Sequence, residues 1–498
     1  MKTTILFIIL LTLTSIHLGQ SALPPLIREG REQAYNMKLD AADKLFNKYN
    51  SLKPDSPYGY YYKAQIHFWI FLGSRDNKEY QIFLKLSDED KEKIEKVLTK
   101  EPKNFRIKCL AGNLASFRAM AQATNNSSVD AFWSSKKAVK YFEESLELNP
   151  KYYDAYLGLG LFDYAMSFVP DFLKWAVNLT GLSSDKERGF RYIQKAYEKG
   201  TDEKIEAAFH LSKIYTDYLA DCDSAFFFLN LLTSQYPSNQ LFSYQYAVTL
   251  IKNRQLGKAM EVLNRVIRQN NKKLPQIIAL CYYRKGEIFF KKNKYKSAVE
   301  MYSRFLKDTR ELDFAGFAAL NAAYCYKLMG DEAGYKKYLS LTKNGNQDIF
   351  EDSYAKHCGE KYQNTGIQPV ELKLVVAKNN LDAGLFRIVY DSLKLNIDNF
   401  DKSDIKSVAL AYLAEASLSL RKYPESLNIT DQILSMNPSN ERWTRPIAYL
   451  LKAKAKFASG EKSDALELLK QAEQYNSYEF KDNIQARIEG MKRKLNKD

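Results

Sequence analysis

The chain has 498 residues, 45% of them hydrophobic and 27% charged, a balance that excludes intrinsic disorder and a membrane-embedded body. Its length allows two or three ordinary domains or one extended solenoid. With 74 Lys and Arg against 59 Asp and Glu, the formal net charge is +15.

Lys2 gives a positive start, Ile5 to Leu13 a short apolar run, and Gly19-Gln20-Ser21 small residues at the −3 and −1 positions. This pattern predicts a secretory signal over residues 1–21, cleaved between Ser21 and Ala22. The run is too short to span a bilayer, and His17 interrupts it. The expectation is an exported protein, periplasmic or secreted, and soluble after cleavage.

Next comes a unit in which Gly30 and Ala42 are 12 residues apart and Pro54 follows by another 12. Small residues at that spacing let two antiparallel helices approach closely, and the proline stops the second. The spacing recurs as Ala247 to Ala259, Gly286 to Ala298, Ala414 to Ser426 and Ala453 to Ala465, and the closing proline as Ala138 to Pro150, Ala225 to Pro237 and Ser426 to Pro438. The clearest copy runs from Tyr282 to Leu306. Tyr282, Gly286 and Phe289 share a face of its first helix, and Ala298, Tyr302 and Phe305 share a face of its second. These offsets are the tetratricopeptide pattern, and these six are the predicted repeat core. The fold class predicted is all-α, a tetratricopeptide-type solenoid forming a right-handed superhelix of antiparallel helix pairs.

Two regions fit the repeat less well. Residues 72–135 hold an acidic-basic helix, SDEDKEKIEKVLTK, with Ser87 as its expected N-cap. Residues 341–369 carry the breakers Asn344, Gly345, Asn346, Gly366 and Pro369, and are expected to be a linker or irregular segment. It would separate an N-terminal array over 22–340 from a C-terminal array over 370–498, whose last helix, Phe480 to Leu495, reads as a cap.

The segment from Tyr156 reads YLGLGLFDYAMSFVPDFLKWAVNLTGLSSDKERGF. The order Gly158-x-Gly160-Leu161-Phe162, then Ser167, Pro170, Lys174, Gly181, Asp185, Glu187 and Gly189 resembles the tetratricopeptide repeat protein 39 family, which includes the inclusion body clearance protein. The close match covers about 45 residues and the rest matches as generic repeats. The resemblance implies a non-enzymatic adaptor with links to lipid handling and organelle surfaces. Known members are intracellular, so the N-terminal signal is a departure.

Candidate chemistry is sparse. Gly158-x-Gly160-x-x-Asp163 lacks a preceding strand and a third glycine, so helix packing accounts for it better than a dinucleotide loop. His67, His210 and His357 fall in no metal-ligand spacing, and His357 and Cys358 are neighbours that point apart on a helix. Cys109, Cys222, Cys281, Cys325 and Cys358 are odd in number with no CxxC, which favours buried thiols and leaves room for one bridge. Glu143, Glu144 and Glu147 read as a solvated face. The chain is therefore expected to be no enzyme, with no cofactor, catalytic or metal residues.

Charge gives the sharper lead. From Lys252 to Lys307 there are 15 Lys and Arg against three Asp and Glu. Arg284, Lys285, Lys291, Lys292, Lys294 and Lys296 are the predicted partner-binding patch if they share a face; otherwise they solubilise a helical surface. Tyr58, Tyr60, Tyr61 and Tyr62 read either as inter-repeat core or as exposed stacking surface, and Phe168 to Leu182 as a buried plug or a docking segment. The favoured function is an exported scaffold that binds a protein or peptide, including an acidic one, in a concave groove. The alternative is a glycan- or lipid-binding accessory protein of the cell envelope. Nucleic acid is disfavoured by the export signal and the lack of a nucleic-acid motif.

Overall fold

The computed structural model describes residues 23–167, 185–400 and 402–497. The signal with Ser21 and Ala22, and the stretch Phe168 to Leu182, lie outside the described residues. Within them the regular structure is helical, with no strand. Successive helices pack as antiparallel pairs, among them Pro25–Tyr35 with Leu39–Leu52, Gln240–Lys252 with Leu256–Gln269, Pro275–Lys291 with Tyr295–Asp308, Ser403–Ser419 with Tyr423–Ser435, and Thr444–Ala458 with Lys462–Glu473. This is a tetratricopeptide-type solenoid.

The pair at Pro275–Lys291 and Tyr295–Asp308 shows how sequence sets the geometry. Pro275 opens the first helix, where a missing N–H costs nothing. Gly286 faces the second helix, and a Cβ there would stand 2.7 Å from the Tyr302 ring. Ala298, Tyr302 and Phe305 are fully buried, Tyr282 is buried, and Phe289 is partly buried at the edge of the same cluster.

Seven residues after the small residue of the first helix, the backbone turns through the left-handed region. The turn residue is Met37 after Gly30, Asn126 after Ala119, Arg254 after Ala247, Asn293 after Gly286, Gly330 after Ala323, Gly384 after Ala377, Arg421 after Ala414 and Gly460 after Ala453. The conformation recurs because one residue must reverse the chain between helices that approach this closely. Non-glycine residues at five of these positions accept the strain.

The weaker regions differ from expectation in specific ways. The helix around Ser87 starts earlier, at Asn77, capped by the Asp76 carboxylate on the Lys78 N–H at 2.9 Å. Ser87 is buried mid-helix instead, where its hydroxyl donates to the Leu84 carbonyl and accepts from Arg118 at 2.6 Å. A serine followed by acids resembles a cap in sequence, and the apolar face of Tyr80 and Phe83 upstream overrides it. Residues 341–369 hold a 3-10 turn, Thr342–Asn344, and a helix, Phe350–Thr365. The breakers stand at its two ends. The buried Asp352 ties it to the array by accepting from the backbone N–H of Phe317 at 2.8 Å and of Asn346 at 2.9 Å.

The superhelix folds back on itself. Asn239 donates to the Tyr35 carbonyl at 2.9 Å, Tyr236 to Glu32 at 3.1 Å, and Arg310 to the Ser74 carbonyl at 3.0 Å. Gly73 receives Leu274, and Lys273 pairs with Asp40. At the other end the last helix, Lys481–Lys497, packs on the π-helical turn Ile214–Tyr218, with Gly490 against the Leu219 carbonyl and Arg493 paired to Glu187. The predicted cap is therefore a closing wall.

Candidate functional site

That contact forms one wall of an open lumen of about 2060 Å³. It is lined by the first helices of several pairs, by Lys186–Lys199 and Phe350–Thr365, and by the last helix. Helix periodicity assigns the inner faces. Along Ser403–Ser419 the lining residues are Asp404, Ile405, Val408, Ala411, Tyr412, Glu415, Leu418 and Ser419, a single stripe. Thr444–Ala458 contributes Ile447, Leu451 and Lys454, and Lys481–Lys497 contributes Ile484, Arg487, Met491 and Lys494 among others.

Charged groups converge in the lower part of the stripe. Arg254, in the left-handed turn after Gln240–Lys252, donates to Glu415 at 3.0 Å and to the Leu381 carbonyl at 3.2 Å. Arg487 approaches the other Glu415 oxygen at 3.3 Å. Burial alone would raise the Glu415 carboxyl, but Arg487, Arg254, Lys454 and Lys378 hold it down at about 2. Lys454 is pushed down to about 8 by burial and by the two arginines. A second chain of pairs runs beside it. Lys378 meets Asp382 at 2.5 Å, Asp382 meets Lys291 at 3.6 Å, and Lys291 meets Glu287 at 2.9 Å. Despite burial, their cationic neighbours hold Asp382 and Glu287 at about 2.

One turn up the stripe the lumen becomes aromatic. Tyr354 lies 4.8 Å from Phe480, Phe480 6.2 Å from Trp443, and Trp443 6.1 Å from Tyr412, centroid to centroid. The Glu441 carboxylate sits among them and accepts from the Trp443 indole N–H at 2.7 Å. Burial pushes its carboxyl up to about 7, against the Trp443 hydrogen bond, and Glu479 adds to the rise.

The six basic residues singled out from the sequence divide between environments. Arg284 donates to Glu287 at 2.8 Å and to the Tyr244 hydroxyl at 3.3 Å, and Lys291 joins the lumen network. Lys285 is half-buried beside the Tyr282 ring at 5.9 Å. Lys292, Lys294 and Lys296 are exposed in the turn and at the start of the second helix. The lumen residues from Tyr354 to Arg487 went unrecognised in the sequence, where each looks like an ordinary polar or aromatic helix position.

The other candidates have structural roles. Gly160 and Gly189 pack helix Ala155–Met166 against Lys186–Lys199, and a Cβ on either would stand 2.8 Å from the other's carbonyl oxygen. Arg188 clamps the crossing by donating to both Asp163 oxygens, at 2.6 and 2.8 Å. Tyr61 and Tyr62 are buried, with Tyr58 and Tyr60 partly so. Cys281, Cys325, Cys109 and Cys358 are buried, and all five thiols are free. Burial pushes the Cys358 thiol up to about 12, while the neighbouring His357 is exposed on the lumen lining. His67 meets Glu79 at 2.7 Å, and burial lowers His210 to about 4.

No curated protein matches the chain significantly. Among solved structures, PilW, a widely conserved type IV pilus biogenesis factor, is 13% identical over 49% of this chain and 97% of its own, with a TM-score of 0.36. Yeast Tom70 is 13% identical over 95% of each chain, with a TM-score of 0.26. A tetratricopeptide repeat protein from Parabacteroides merdae is 13% identical over 59% of this chain and 99% of its own, with a TM-score of 0.27. The Iml2/Tetratricopeptide repeat protein 39 family matches residues 78–337, just over half of the sequence and including the Gly160–Gly189 crossing. With the helix pairs and their turns in place, that match makes the chain a member of the Iml2/Tetratricopeptide repeat protein 39 family.

Proposed function

We propose that this protein is a non-enzymatic, exported scaffold that holds a segment of a partner polypeptide in the lumen of its superhelix. Tetratricopeptide folds generally bind protein partners, and the observation that carries the finer reading is the lumen itself. At about 2060 Å³ it exceeds the ~300–1,000 Å³ typical of small-molecule pockets, which suits a polypeptide segment. Acidic groups of the partner would meet Arg254, Lys454 and Arg487, which share Glu415 as a neighbouring carboxylate among the described residues. Export rests on the N-terminal pattern of Lys2, the apolar run and Gly19-Gln20-Ser21.

Affinity capture with the mature protein from cell-envelope extracts tests the scaffold reading. The expected result is a protein that is retained by wild type and lost on K454E/R487E. Recovery of lipid or polysaccharide alone would overturn it and favour the envelope-accessory alternative. Fractionation of the tagged full chain tests export, and retention in the cytoplasm would contradict it.

A further inference from the structure

The lumen is not uniformly suited to anions. At its aromatic end Glu441 shares the lining with rings from four separate elements. Tyr354 comes from Phe350–Thr365, Tyr412 from Ser403–Ser419, Trp443 from the turn before Thr444–Ala458, and Phe480 from the residue before the last helix. All four rings and the carboxylate line the lumen. The Trp443 N–H bond to Glu441 fixes the edge of the indole against the carboxylate.

The neighbouring cations are committed elsewhere. Lys361 pairs with Glu371 at 2.6 Å, and Arg442 with Glu479 at 3.6 Å. No ion pair reaches Glu441 among the described residues. A half-buried carboxylate without a cation is expensive. The backbone adds a second sign of constraint. Phe480 takes φ +58° in the left-handed region, which a bulky residue rarely adopts, and this turns its ring to within 4.8 Å of Tyr354.

We infer that Glu441 with Tyr354, Tyr412, Trp443 and Phe480 is a cation-recognition subsite that takes the basic side chain, lysine or arginine, of the bound polypeptide segment. Ring faces attract a cation through their quadrupole, and the carboxylate supplies the opposite charge in a desolvated setting. The inference rests on the scaffold reading and deepens it. The lumen then grips a partner at two points, cationic around Glu415 and acidic-aromatic at Glu441, and so fixes the direction in which the segment threads.

The test uses the mature protein and three probes followed by ligand-observed NMR: the peptide acetyl-Gly-Arg-Gly-amide, the same peptide with neutral citrulline for arginine, and tetramethylammonium. The arginine peptide should bind at least tenfold more tightly than the citrulline peptide, and Glu441→Gln should remove that difference. E441Q should also melt no lower than wild type, because it relieves an unpaired carboxylate while its amide oxygen still accepts from the Trp443 indole N–H. Tyr354→Leu serves as a second variant, with an expected loss of about three- to tenfold for the arginine peptide. Equal binding of arginine and citrulline peptides, or an E441Q variant that binds like wild type, would overturn the subsite. Binding of tetramethylammonium without the arginine peptide would overturn the assignment to a basic side chain. A partner retained equally by wild type and E441Q would sink the subsite and leave the scaffold standing. Peptide binding with no partner recovered would do the reverse.

Discussion

Gly490 of the last helix lies directly against the carbonyl of Leu219, some 270 residues earlier in the chain, with no room for a side chain between them. That contact brings the last helix onto the middle of the chain, where it forms one wall of the lumen. Gly490→Val should overpack it at a cost of about 1–3 kcal/mol. The lower melting temperature should be accompanied by a larger radius of gyration in solution scattering and faster hydrogen exchange over residues 481–497. A variant as compact as wild type would show that the closure does not depend on this contact.

The left-handed turn position allows a matched pair of substitutions with opposite outcomes. A Cβ on Gly460 would meet nothing within 4 Å, so Gly460→Ala feels only its backbone, at φ +87°. The expected loss is about 1–2 kcal/mol. Arg421, at the equivalent position and φ +59°, is exposed. Arg421→Gly should leave stability unchanged or raise it by up to ~1 kcal/mol, since relief of strain offsets the added chain entropy. Chemical denaturation distinguishes the two, and a loss at both positions would contradict the account.

The solenoid was legible because its signal is local. A small residue 12 positions before another, as in Gly286 and Ala298, is visible in any one repeat, and the buried aromatics Tyr302 and Phe305 sit where that spacing puts them. The turn conformation seven residues along was not, because Met37, Asn293, Arg254 and Gly460 have no side-chain property in common. The lumen was hidden for a different reason. Its walls come from residues as far apart as Glu187 and Lys494, and closure turns charges that look solvated in sequence, such as Glu415 and Lys454, into a desolvated network. The breakers at 344–346 and 366 stand at the two ends of the helix Phe350–Thr365. They did not reveal the helix between them, whose anchor, Asp352, works through backbone hydrogen bonds.

Stability should follow a skewed pH profile. Glu287, Asp382 and Glu415 are held at about 2 in the folded protein, below unfolded values of about 4. Their contribution, on the order of 2 kcal/mol each and not additive, is present above pH ~4 and lost as pH falls towards 2. Glu441, raised to about 7, acts in the opposite sense, as do Asp90, Glu203 and Asp352, which burial also raises. Protonating them favours the folded state, so the melting temperature should rise as pH falls from 8 to about 5 and then drop steeply below 4. E441Q should flatten the upper limb. A melting temperature that falls steadily from pH 8 downward would contradict these assignments.

Charge reversal separates the two halves of the basic patch. Lys292, Lys294 and Lys296 are exposed, and reversing each should change stability by no more than ~0.5 kcal/mol. Lys291→Glu removes the shared partner of Glu287 and Asp382 and places a third acid beside them. The expected loss is on the order of 3 kcal/mol, read by denaturant melts. Equal effects at Lys291 and Lys296 would contradict the structure.

The most direct test of the central claim, that a partner lies inside the lumen, is site-specific photocrosslinking in cells. A photoreactive residue at Ser419, which is exposed on the inner stripe, is compared with one at Lys296 on the outer turn. The account predicts a discrete protein adduct from Ser419, lost when K454E/R487E is added, and no such adduct from Lys296. Adducts from Lys296 alone would contradict it.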